Sequence, residues 1–134
     1  MKPQPIILAI DFDNTISLTN WPNITRLRHG AKYFINKLYS KGYYIIIWTC
    51  RHEEYEAAAY SYLENKGVKF HSINSQHPQL IEAFQNDTRK ISADIYIDDK
   101  GLWLFKLPHW IVLYYLIRFK SLFLTSIFSQ FIKK

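Results

Sequence analysis

The sequence predicts an α/β fold, a parallel sheet with helices on both faces. Short uninterrupted apolar runs recur along the chain, and stretches of helical period separate them. Acids or a threonine stand at the carboxyl ends of three of the runs. Runs without polar alternation suit strands covered on both faces, and strands alternating with helices imply βαβ crossovers.

Residues 6–11 (IILAID) form the first strand, with turn-forming Asn14 and Thr15 behind it. Residues 43–49 (YYIIIWT) are richer in β-branched and aromatic side chains and form the second. Residues 68–73 and 95–98 supply the third and fourth, and 110–115 (WIVLYY) the fifth. The first helix, 30–41, places Phe34, Ile35, Leu38 and Tyr39 on one side and stops at Gly42. The second, 53–66, opens with acids that suit the helix dipole and ends before Gly67. A shorter helix, 78–86, has Pro78 in its first turn.

The 134 residues suit one domain, and 49% hydrophobic with 17% aromatic content argues against disorder. Cys50 is the single cysteine, which excludes an internal disulfide and a multi-cysteine zinc site. The five histidines form no HExxH pattern. The opening MKPQP lacks the apolar core of a secretion signal, so the expected compartment is the cytoplasm. The net charge of +6 arises entirely from residues 100–134, which contain six Lys/Arg and no acid.

Ligands of open parallel sheets bind beyond the carboxyl ends of the strands. Asp11, Asp13, Thr49, Asp98 and Asp99 all fall there, so the acids are expected to converge on one crevice. Clustered carboxylates repel one another, and a hard divalent cation is the simplest neutralising agent; an all-oxygen shell suits Mg²⁺.

These residues resemble the haloacid dehalogenase superfamily. Asp11-x-Asp13-x-Thr15 after the first strand resembles its first motif, Thr49 its second, Lys90 its third, and Asp98-Asp99 its fourth. Trp48-Thr49-Cys50-Arg51 and the segment Arg89 to Asp99 resemble the small members that lack a cap. The resemblance implies a three-layer Rossmann-like fold and a Mg²⁺-dependent phosphomonoester hydrolase working through an aspartyl-phosphate. Asp11 would be the nucleophile and Asp13 the general acid and base. Thr49 would hydrogen-bond the phosphoryl group, and Lys90 would stabilise its charge. Asp11, Asp13, Asp98 and Asp99 would hold the cation, and Asn14, Thr15, Cys50 and Arg51 would line the substrate site. An ion pair with Glu54 is the plainer reading of Arg51. Cys50 has no C-x5-R loop and reads as a packing residue.

The intervals between the motifs leave no space for a cap, which implies an open crevice overhung by the 14–26 loop with Trp21 and Pro22. Such a crevice admits a phosphorylated small molecule or a macromolecular phosphate ester. Asp87-Thr88-Arg89-Lys90 also resembles the phosphatase half of certain polynucleotide kinases, so a 3′ nucleic-acid end phosphatase is one alternative. A non-catalytic phosphate- or Mg²⁺-binding, or membrane-associated, module is another. The catalytic domain is expected to span residues 1–117. Residues 118–134 are expected to form a basic, aromatic-rich amphipathic helix. Leu124, Ile127, Phe128, Phe131 and Ile132 share its apolar face, with Ser126, Ser129, Gln130 and Lys133 opposite. It would pack on the domain or a second subunit, with peripheral contact to an anionic membrane as the alternative.

Overall fold

Four parallel strands form the sheet in the computed structural model, which describes residues 4–124 and 127–131. In chain order they are β1 (Ile7–Ile10), β4 (Tyr44–Ile47), β5 (Ser72–Ile73) and β6 (Ile95–Ile97), with spatial order β5-β4-β1-β6. A separate antiparallel hairpin, β2 (Ser17–Asn20) and β3 (Asn23–Leu27), occupies part of the stretch read as a loop. The helices are α1 (Ala31–Ser40), α2 (Glu53–Lys66), α3 (Pro78–Phe84), α4 (Trp110–Ser121) and α5 (Phe128–Phe131).

Alternate residues of β1 feed two cores. Leu8 and Ile10 join Ile45 and Ile47 of β4 against α1, α2 and α4. Ile7 and Ala9 join Ile46, Leu80 of α3 and Phe128 of α5 on the other face. Both faces are thus covered, and every side chain of β1 is enclosed. Burying one such isoleucine contributes about 2 kcal/mol, which explains why these strands carry no polar alternation. Asp94 clips the start of the sheet to the C-terminal segment. Its two carboxylate oxygens accept from the backbone N–H groups of Ile7 and Ile127, each at 2.8 Å.

The expected fifth strand, Trp110–Tyr115, is instead the start of α4, so the sheet has four strands. His109 caps this helix, its Nδ1 accepting from the Ile111 N–H at 3.1 Å. Apolar residues on every side of WIVLYYLI conceal the helical period that would have marked it. The C-terminal face also lies on the domain as far as it is described. Phe128 is buried, Leu124 and Ile127 pack against the cores, and the Phe131 ring sits 4.9 Å from that of Phe84. Ser126, Ile132 and Lys133 lie outside the described residues, as do the side chains of Ser129 and Gln130. Among the described residues no helix is long and apolar enough to cross a membrane.

Candidate active site

Register places the acids together. Ile10 of β1 pairs with Ile97 of β6, so Asp11 and Asp98 are the next residues on adjacent parallel strands. The Asp11 N–H donates to the Ile97 carbonyl at 2.8 Å and carries that pairing one residue past the strand. Asp11, Asp98 and Asp99 each offer a carboxylate oxygen, and the three oxygens lie within 4.8 Å of one another. Burial pushes the Asp11 carboxyl up to about 8; its bond from Thr15 opposes the rise, while the charges of Asp98 and Asp99 add to it. Three oxygen donors this close, one of them strongly disfavoured as an anion, fit a hard divalent cation.

A tight turn follows Asp11. Asn14 adopts φ 60°, tolerable for asparagine, and its Oδ1 accepts from the Thr19 N–H at 3.3 Å, tying the turn to the hairpin. Thr15 is fully enclosed and links the first and fourth motifs. Its hydroxyl donates to Asp11 Oδ2 at 2.9 Å and accepts from the Asp99 N–H at 2.9 Å. Its carbonyl accepts from the indole N–H of Trp110 and from Arg28. Thr15 therefore orients two of the acids. Thr15→Val keeps the shape and removes both hydroxyl bonds, leaving the Asp99 N–H unpaired. A loss of about 1–3 kcal/mol in urea unfolding is expected, together with weaker cation binding.

Asp13 faces Arg51. The guanidinium grips both carboxylate oxygens, with Nη2–Oδ1 at 2.7 Å and Nε–Oδ2 at 3.0 Å. This replaces the ion pair considered with Glu54. Arg51 is 1% exposed, and its guanidinium carbon lies 5.1 Å from the Phe12 ring centroid and 4.9 Å from that of Trp21. Nη2 also donates to the Pro22 carbonyl at 3.2 Å, so the guanidinium ties the hairpin tip to Asp13. Nη1 is buried and has no hydrogen-bond partner among the described residues.

Thr49 sits two residues past the end of β4, where its hydroxyl accepts from the Arg51 N–H at 3.1 Å. Asn74 locks this corner and gave no sequence signal beyond asparagine's tolerance of its φ of 52°. Its Oδ1 accepts from the Thr49 N–H, and its Nδ2 donates to the Thr49 carbonyl and to Glu56. Arg28 was missed as well. It donates to the carbonyls of Thr15, Leu107 and Pro108 and places a positive charge near Asp99. Cys50 is exposed, so it is not the packing residue the sequence suggests.

Lys90 is not brought into contact with the acids among the described residues. It is exposed, with Nζ 5.7 Å from the Tyr96 ring centroid. Gln76, buried and also missed, holds the Lys90 backbone carbonyl at 3.0 Å.

The sequence matches the NLI interacting factor-like phosphatases over residues 6–100, a stretch that includes Asp11 and the Asp98-Asp99 pair. The chain belongs to this family. The family is a branch of the haloacid dehalogenase superfamily, and the protein is accordingly a hydrolase of phosphoester bonds. A conserved protein of Bacteroides thetaiotaomicron has a similar structure, with a TM-score of 0.76 and 28% sequence identity. That match covers 87% of this chain and 93% of the other. No curated protein matches. Between β4 and β6 the chain forms α2, β5 and α3.

Proposed function

We propose that this NLI interacting factor-like phosphatase hydrolyses phosphomonoesters with Mg²⁺ through an aspartyl-phosphate on Asp11. The approach of Asp11, Asp98 and Asp99 within 4.8 Å at the ends of β1 and β6 carries the reading. These three residues would hold the cation, with the Asp13 backbone carbonyl as a further ligand. When bound, it screens the negative charge that otherwise keeps a carboxylate from a phosphate ester.

One Asp11 oxygen attacks phosphorus in line with the ester oxygen. The new bond joins Asp11 to phosphorus, and the bond to the alcohol breaks. Asp13 gives that alcohol its proton. Asp13 then takes a proton from the water that attacks the phosphoryl group, releasing inorganic phosphate and restoring the Asp11 carboxylate. Thr49 and Arg51 receive phosphoryl oxygens. A phosphate dianion competes with Asp13 for the guanidinium fork, and Nη1 has no hydrogen-bond partner among the described residues. Such an exchange would free Asp13 for proton transfer. Lys90 would have to swing from Tyr96 to reach the phosphoryl group.

A site left open by the lack of a cap would suit a phosphorylated small molecule or an exposed phosphate on a larger one. Asp87 and Thr88 support Ser75 and Gln76 in the fold, so the resemblance to nucleic-acid end phosphatases rests on residues with structural partners.

Hydrolysis of p-nitrophenyl phosphate tests the reading. Turnover is expected with Mg²⁺, with loss in EDTA and recovery on adding Mg²⁺ back. Turnover unaffected by chelation would overturn the metal assignment. Competition by 3′-phosphorylated oligonucleotides, falling steeply with salt, would move the substrate class to nucleic-acid ends.

A further inference from the structure

We propose that the outer face of α4, with the 102–105 loop beside it, docks on an anionic phospholipid surface. One side of α4 is core, comprising Trp110, Leu113, Tyr114 and Ile117. The opposite side is also apolar, yet lies in solvent. Ile111, Val112, Tyr115, Leu116 and Phe119 form a stripe that continues into Leu122 and Phe123, with Tyr115 and Phe119 62% and 63% exposed. Helices apolar on all sides are ordinarily enclosed, and a patch of this kind on a small domain marks a contact surface.

The stripe is extended by a second exposed segment. Trp103 lines a small cavity of about 160 Å³ with Leu113, Leu116, Ile117 and Lys120, which sets its loop against one edge of α4. Leu102, Leu104 and Phe105 of that loop are almost fully exposed. Trp103 Nε1 donates to the Asp98 carbonyl at 2.9 Å, so the loop is tied to the carboxylate crevice.

Charge identifies the occupant. At 3.6 residues per turn, Arg118 and Lys120 fall on opposite edges of the stripe, and both are exposed. Lys100 and Lys106 flank the loop, and residues 100–134 contain no acid. Ile111 also borders a groove of about 1050 Å³ whose charged lining is Arg28, Lys32 and Lys37, again without an acid. A two-fold pairing of copies through this face would set like charges against like. An apolar, aromatic stripe edged by lysine and arginine is instead the pattern that inserts shallowly among anionic headgroups. The docking face is therefore α4 rather than the Leu124–Ile132 face, whose described part is packed on the domain.

Flotation of the full chain with vesicles tests the proposal. It should partition onto phosphatidylcholine vesicles containing about a third phosphatidylglycerol and remain free of pure phosphatidylcholine vesicles. About 1 M salt should release it. Lys106→Gln with Lys120→Gln is expected to reduce partitioning about thirtyfold. Tyr115→Ser with Phe119→Ser should reduce it comparably. Unchanged thermal midpoints would show both variants folded, whatever the outcome of the phosphatase assays. If one pair misfolds, the other decides. Failure to bind the anionic vesicles, equal binding to both kinds, or binding indifferent to a folded variant would overturn the proposal. So would a dimer that Phe119→Ser disrupts while the chain ignores vesicles.

Discussion

Asp11→Asn is expected to lower p-nitrophenyl phosphate turnover by about 10⁴-fold or more, because it removes the attacking oxygen rather than a supporting contact. The same substitution should change the pH dependence of stability in the opposite sense. Burial, with Asp98 and Asp99 adjacent, pushes the Asp11 carboxyl up to about 8. A carboxyl raised in the folded state favours folding while protonated. Its contribution is complete below the ordinary carboxylate range and is lost as pH rises through about 8. Metal-free wild type should therefore lose thermal stability over that window, and Asp11→Asn, neutral throughout, should escape this part of the decline. Mg²⁺ should raise the wild-type midpoint at pH 8 more than at pH 5, where protons compete for the ligands. Differential scanning calorimetry in EDTA and in Mg²⁺ reads all three effects. A wild type and variant with parallel pH profiles would contradict the described environment of Asp11.

Breaking the Asp13–Arg51 pair has the second large effect. Asp13→Ala leaves a guanidinium with no exposed side-chain surface and no carboxylate beside it. Removing one partner of a buried pair costs about 3–5 kcal/mol, and the partial exposure of Asp13 places this case near the lower figure. Arg51→Met in the same chain should recover part of that loss, because an apolar side chain can fill the slot between Phe12 and Trp21. Turnover should not recover, since the proton donor and the fork are both absent. Urea unfolding of the two single variants and the double variant forms a mutant cycle. Additive losses would show that the pair is not coupled. Full turnover in Asp13→Ala would remove Asp13 from the reaction.

The apolar runs at 6–11 and 43–49 make the central strands legible, because strands enclosed on both faces admit little but aliphatic residues; the 95–98 run forms the edge strand, where Tyr96 is exposed. The Asp11 and Asp98-Asp99 cluster followed from the same logic, since parallel register alone sets those acids side by side. Trp110–Tyr115 was misread because β-branched and aromatic residues fill it and both sides of α4 are apolar. Its start signal was His109, a side-chain cap that composition does not distinguish from any other histidine. The sequence marks Arg51 as a substrate ligand, but its partners Asp13 and Pro22 lie 38 and 29 positions away, and no local pattern pairs them. Arg28, Asn74 and Gln76 are not legible, since most of their partners are backbone groups distant in sequence. The role of Lys90 rests on the family resemblance alone, and a motif match does not orient a long exposed side chain.

Rapid acid quenching during turnover, followed by peptide mass mapping, tests the covalent step most directly. The expected result is a phosphoryl adduct on Asp11 in the peptide containing residues 6–17, present with Mg²⁺ and substrate and absent from Asp11→Asn. An Asp11 that remains unmodified while the enzyme turns over at its full rate, with Asp11→Asn equally active, would contradict the account.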